Sequence, residues 1–325
     1  MKQYTHAWLA FMAIKRLDRY EFPDNTSLQR TIKADAAALV KWFKNYRDFV
    51  IEGAWYPDHV FKDMSTSHIV KYFQDADSYD TRFKKLPSDI LAYKNRKKSP
   101  RFEQPYSVDG GNLADRCEAL SHDIVDCLKM LRTEERGCPI SPTNNHIAMR
   151  FFIQSHYIAD GHMPLHCDIR PFSSGTDVHA YIEEIWEKHI TDSFKIDKDN
   201  ERFFYEPDGY PLHLKPTPLI QRVEKEIETR NFIYDWGDGN ANTWDYMSAI
   251  TYYSYLKAYL MIPAGYDETL PRKKFLAEVE GGINLEEYTY EIFTDAIESI
   301  AHIWLRVWMR YRKWQRECKM IKEID

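Results

Sequence analysis

The chain has 325 residues, enough for one large domain with a sizeable core. Its hydrophobic share is 44%, its charged share 29% and its net charge −6, the profile of a globular chain whose surface as a whole is not a basic footprint for nucleic acid. No stretch approaches the ~20 consecutive apolar residues of a membrane span, and the five cysteines, an odd number without regular spacing, argue against a disulfide scaffold.

The first helical signal is carried by Trp8, Leu9, Phe11, Met12, Ile14 and Leu17, whose spacing reads as an amphipathic helix facing a core. Lys15 and Arg16 interrupt the apolar run and no small-residue cleavage site follows, so this start does not read as a signal peptide. The expected address is cytoplasmic, with a mature secreted chain lacking its signal as the alternative. From Ser27 a second helix is expected, capped by Asn25 or Thr26, with Leu28, Ile32, Leu39, Phe43, Tyr46 and Val50 on one face. The basic run from Lys94 to Arg101 reads as a solvated loop, and Asp109-Gly110-Gly111-Asn112 as a turn.

A further helix carries Leu113, Cys117, Leu120, Ile124, Leu128 and Leu131 and ends near Gly137-Cys138-Pro139. The next runs from about Asn145 and is stopped by Gly161 and Pro164, and Thr176 can cap the one after it. Beyond a Pro-, Asp- and Gly-rich loop at 205–218, three more helices follow. On the last, Ile297, Ile300, Ala301, Trp304, Trp308 and Tyr311 form a stripe read as core. Alternating strand patterns are nearly absent. The fold class is therefore all-α, in a single multi-helix domain covering 1–325, with residues 191–325 packing on the part that carries the chemistry.

That chemistry is concentrated in one stretch, His156-Tyr-Ile-Ala-Asp160-Gly-His162-Met-Pro164-Leu-His166. His156 and Asp160, four residues apart, project from one helical face, and the Gly161 and Pro164 break turns the chain to present His166. His179 and Glu183 repeat the four-residue spacing on the following helix. Imidazole and carboxylate in this pattern are what zinc or another borderline metal requires. Cys167 reads as a packed thiol, His162 as a group supporting the ligands or facing substrate, and His59, His122, His146 and His189 as ordinary histidines.

The stretch HYIADGHMPLH closely resembles the H-Y-x-x-D and P-x-H signature of the zinc-dependent phospholipases C, which share an all-helical fold and a trinuclear zinc site with the single-strand-specific zinc nucleases. His179 with Glu183 is similar to that family's next ligand pair; Glu instead of Asp favours the phospholipase side. Upstream, Thr5-His6, Gly53-Ala-Trp-Tyr-Pro-Asp58 and Ser67-His68-Ile resemble the segments that deliver the remaining ligands, in the family's order. The resemblance implies a zinc cluster of two to three ions. Asp58, His68, His156 and Asp160 would hold one, with Asp160 bridging to a second that His6 also binds. His166, His179 and Glu183 would hold the third. Asp58 would also help deprotonate the attacking water. Where the family uses an N-terminal Trp amine and carbonyl, this sequence has Met1, whose backbone is an extra ligand candidate. The interval from Asp58 to His68 is shorter than in the family, and no match is found for its choline-binding or base-stacking residues.

The resemblance thus implies a phospholipase C-like phosphodiesterase acting on a phosphoester through a metal-activated water. A nuclease or nucleotidase with the same site is the neighbouring alternative, so the substrate is a phospholipid or a nucleotide or nucleic acid. A structural or sensory zinc protein, stabilised by its cluster without turnover, is the alternative from another class.

Overall fold

Nine α-helices account for most of the described residues, and their boundaries follow local chemistry. The computed structural model describes residues 1–69, 112–132, 142–168, 178–232, 242–262 and 285–322. The basic run at 94–101, the turn glycines Gly110 and Gly111, the expected helix end at Gly137-Cys138-Pro139 and the Thr176 cap lie outside these residues.

The first helix, α1 (Gln3–Arg19), differs from the single-faced helix expected. It is buried on nearly every side from Thr5 to Leu17, Lys15 being half-buried. The polar members of that buried run have partners far along the chain. Arg16 Nε donates to Glu298 Oε2 at 3.0 Å, its Nη2 donates to the Arg230 carbonyl, and its guanidinium lies 4.6 Å from the centre of the Tyr20 ring. Helix α2 (Ser27–Lys44) opens with a reciprocal capping box between Thr26 and Gln29, as the Thr26 reading expects. It stops short of Tyr46 and Val50, because a tight turn at Arg47–Phe49 intervenes before α3 (Val50–Tyr56). Leu28, expected on the apolar face, is 59% exposed: it sits in the first turn, beyond the core.

Helix α4 (Leu113–Arg132) buries Leu113, Cys117, Ile124 and Leu128, and α5 (Asn144–Gly161) begins at a Thr143 cap and ends at the glycine foreseen. Next come α6 (Val178–Ser193), α7 (Pro218–Thr229), α8 (Thr243–Met261) and α9 (Leu285–Lys322). The only strands among the described residues are the pair β1 (Ile196–Asp197) and β2 (Arg202–Phe203). The 205–218 loop is tied to this corner by bridges from Tyr205 to Pro211 and from Phe194 to His213.

One apolar cluster runs through all these helices. The Ile297, Ile300, Ala301, Trp304, Trp308 and Tyr311 stripe lies inside it, Trp304 meeting Phe43 at 4.6 Å between ring centres. No helix among the described residues is long and apolar enough to cross a membrane, and the described cysteines, Cys117, Cys127, Cys167 and Cys318, are all free.

The α3–α5 contact sets the geometry that follows. A Cβ added at Gly53 would lie 2.4 Å from Phe152 Cβ and 3.1 Å from the Met149 carbonyl, distances that neither stiff neighbour can relieve. Gly53→Ala should therefore push α3 off α5 and cost about 1–3 kcal/mol, as overpacking does elsewhere. Chemical denaturation checks this; an unchanged midpoint would show that α3 slides freely on α5.

Candidate metal centre

Helix α5 brings His156 and Asp160 to one face, and Gly161 ends it so that a short turn at Pro164–His166 folds His166 back towards the same place. Gly161 also allows close packing, since a Cβ there would lie 2.7 Å from the Met247 Cε. Helix α1 presents His6, and α6 presents His179 and Glu183. From α3 the chain passes through a π-helical turn, Pro57–Phe61, that carries Asp58. It then reverses at Lys62 (φ 47°, left-handed) and reaches His68 at the end of a 3-10 turn, Ser65–His68.

All eight side chains expected from the sequence converge. They form three groups, within each of which the donor atoms lie within 4.8 Å of one another and could hold a metal ion: His6, His156 and Asp160; Asp58, His68 and His156; and, sharing no residue with these, His166, His179 and Glu183. His156 serves two of them. Asp160 faces both ways. Its Oδ2 lies 2.8 Å from His68 Nδ1 and 3.1 Å from His156 Nε2. Its Oδ1 lies 3.2 Å from the Met1 amine, 3.5 Å from His6 Nε2 and 3.6 Å from His166 Nδ1. Glu183 Oε1 lies 2.9 Å from both the Met1 amine and His179 Nε2, and 3.9 Å from His166 Nε2. Asp58 Oδ1 lies 3.5 Å from His156 Nε2 and 3.8 Å from His68 Nδ1. His6, His156 and Asp160 are at most 1% exposed, whereas the Asp58 side chain is 46% exposed and forms the open edge.

The ionisation states follow from this crowding. Burial would lower the Met1 ammonium, but Glu183, Asp160 and Asp58 outweigh it and hold it up to about 11. Burial likewise opposes the charged form of His156, yet Asp160 and Asp58 raise its ring to about 10. Burial, His156 and the Met1 ammonium together push His6 well down, and burial brings His166 to about 3. Asp160 is raised by burial but pulled well below the carboxylate range by the Met1 ammonium and His156, and Glu183 by the Met1 ammonium and His179. Desolvation raises Asp58 while its bond to His156 brings it down to about 2.

The ionised carboxylates and the neutral, buried rings of His6 and His166 are in the donor states a divalent cation needs, and binding one would displace the proton that Asp160 and Asp58 hold on His156. Both ring nitrogens of His6 and Nδ1 of His166 are buried without a hydrogen-bond partner, a costly arrangement that a cation would relieve. The donor set therefore fits a metal, and imidazole with carboxylate suits zinc among others.

Several supporting contacts have no signal in the sequence. Nδ1 of His156 donates to the Ala54 carbonyl at 2.7 Å, which aims Nε2 at the cluster. Tyr157 Oη donates to Asp63 Oδ2 at 2.5 Å and Arg116 Nη2 lies 3.3 Å from the same oxygen, fastening the loop between Asp58 and His68 to α4 and α5. Glu187 of α6 accepts from the backbone of α1, a contact the four-residue repeat of His179 and Glu183 extends to but does not explain.

His162 corrects the expectation placed on it. It turns away from the cluster, with Nε2 2.9 Å from Ser299 Oγ on α9, because it lies just past the helix end, on the side packed against the core. Cys167 is buried, as expected of a packed thiol. The exposed His59 stacks on Trp55 at 3.9 Å. Comparison with protein-family models, curated proteins and solved structures finds no match to this chain.

Proposed function

We propose that the chain is a zinc-dependent phosphoric-ester hydrolase, a phospholipase C-like phosphodiesterase. The observation that carries the reading is Asp160, whose two oxygens face two donor groups while Glu183, His166 and His179 complete a third beside them. Closely spaced zinc ions, when bound, supply a nucleophilic hydroxide near neutral pH and neutralise charge on phosphoryl oxygens. The residues do the rest. Asp160 fixes the separation of the first two groups, and the rings of His6, His68 and His156 surround it, His6 held neutral by its burial and His156 carrying a proton that a bound cation would displace. Asp58, ionised and half-open to solvent, is placed to accept the proton of the attacking water as well as to ligate. That open edge favours turnover over a closed structural cluster.

Protein purified without chelator should hold about two to three zinc ions per chain, one for each donor group that can be completed. His166→Ala or Glu183→Ala should lower that count by about one and greatly reduce hydrolysis, since each removes a ligand of the third group. One equivalent or fewer after zinc reconstitution would sink the trinuclear reading. A panel of phosphatidylcholine vesicles, an aryl phosphodiester and single-stranded DNA separates the phospholipase from the nuclease branch. Full zinc occupancy with no turnover on any of them would leave the cluster structural.

A further inference from the structure

We propose that Glu187 is the positioning residue that holds the first turn of α1 against the metal cluster, so that an acceptor from α6, and none from α1 itself, brings His6 into reach. The proposal rests on the metal reading above.

Helix α1 has no cap of its own. Its N-cap residue is Lys2, whose side chain makes no capping bond, and its first turn carries no acidic residue. The amides a cap would satisfy are those of Tyr4 and Thr5, the second and third residues of the helix. Both go to Glu187: Tyr4 N–H donates to Oε1 at 3.0 Å and Thr5 N–H to Oε2 at 2.8 Å. The Thr5 hydroxyl adds a third bond to Oε2 at 2.8 Å. One carboxylate thus takes three donors from two successive residues, and the next residue is His6.

Glu187 lies one helical turn beyond Glu183 on α6, about 6 Å along its axis. The two carboxylates grip the start of α1 at successive points, Glu183 at the Met1 amine and Glu187 at Tyr4 and Thr5. From Ala7 onward α1 is held by the apolar core. Before it Met1 also joins that core and Tyr4 packs on its edge, 5.8 Å from Phe203 between ring centres, so the polar backbone between these anchors and His6 is tied down by the two carboxylates. Glu187 itself touches none of the eight candidate ligands. Its effect passes through the backbone of α1. An ionised carboxylate at a helix N-terminus also interacts favourably with the helix dipole, which a neutral amide does less well.

The test uses full-length protein carrying Glu187→Ala, Glu187→Gln, and Glu187→Ala combined with Lys2→Asn. Asn is a strong N-cap residue that can accept from the same amides without adding charge beside the cluster. Hydrogen exchange reads the Tyr4 and Thr5 amides, and competition against a chromophoric chelator reads zinc affinity site by site. Glu187→Ala should speed exchange at both amides at least about tenfold and weaken one zinc equivalent by roughly ten- to a hundredfold, the range for residues that orient ligands. The zinc held by His166, His179 and Glu183 should keep its affinity. Glu187→Gln should fall between, since only its carbonyl oxygen can accept. Lys2→Asn should restore both readouts in the Ala background, which loss of a merely structural carboxylate would not allow.

Faster exchange with zinc affinity unchanged overturns the proposal, as does failure of Lys2→Asn to recover affinity once exchange has slowed. Uniform weakening of every equivalent overturns it too, by showing general loosening. Wild-type protein that binds no zinc at all sinks the metal reading and this proposal with it, an outcome distinct from the others.

Discussion

Asp160→Asn should lower phosphodiester hydrolysis by on the order of a thousandfold or more and release about two zinc ions per chain. Asparagine keeps the shape of aspartate, so α5 should pack as before and circular dichroism should match wild type. Its chemistry is different on the two sides. In the native protein one oxygen meets His68 and His156, and the other meets the Met1 amine, His6 and His166. An amide has a single acceptor oxygen, and whichever way it flips, its NH2 faces one of the two groups and cannot ligate there. Removing the negative charge would also remove what would offset the repulsion between two dications held by these neighbouring groups. Metal analysis, circular dichroism and a diesterase assay on the same sample decide it. Retained activity at full zinc occupancy would mean that Asp160 does not bridge.

The largest loss of stability is expected from Arg16→Met, about 3–5 kcal/mol in denaturant unfolding, the usual cost of breaking one side of a buried ion pair. Arg16 and Glu298 are both essentially inaccessible, and Glu298 Oε1 has no hydrogen-bond partner even in the native protein. Without the guanidinium the carboxylate would sit uncompensated in the core, and the Arg230 carbonyl would lose a donor as well. The double variant Arg16→Met with Glu298→Leu should recover more than half of the loss, because an apolar pair leaves no stranded charge. A cost below about 1 kcal/mol for the single variant would show that water reaches the pair.

What was legible in the sequence is what local spacing encodes. His156 and Asp160, or His179 and Glu183, share a face by helical geometry alone, and Gly161 with Pro164 marks the turn that returns His166. The stripe from Ile297 to Tyr311 was legible for the same reason. His6, Asp58 and His68 were reached by the order of short segments resembling a known pattern, and the structure brings them to the same place. Periodicity could not tell that α1 is surrounded on nearly all sides, since buried Thr5 and Arg16 look like surface residues until partners at 187 and 298 are known. Nor could it find the Ala54 carbonyl behind His156, because a backbone acceptor has no letter of its own. His162 was misread because it lies within the signature, while its orientation is decided by Ser299 on a distant helix.

The distance along the chain between Arg16 and Glu298 also bears on the order of synthesis. Helix α1 is synthesised long before α9, yet Arg16 finds its buried carboxylate there, and Trp8 rests against Phe293 at 5.4 Å between ring centres. Until translation has passed residue 298, the guanidinium has no carboxylate to meet and the apolar faces of α1 lack one wall. Proteins of this size fold through partly assembled states, and exposed apolar surface in such states invites aggregation. Nascent chains halted between α8 and α9 should therefore be protease-sensitive and bound by chaperones, even though they already contain every residue of the proposed zinc cluster.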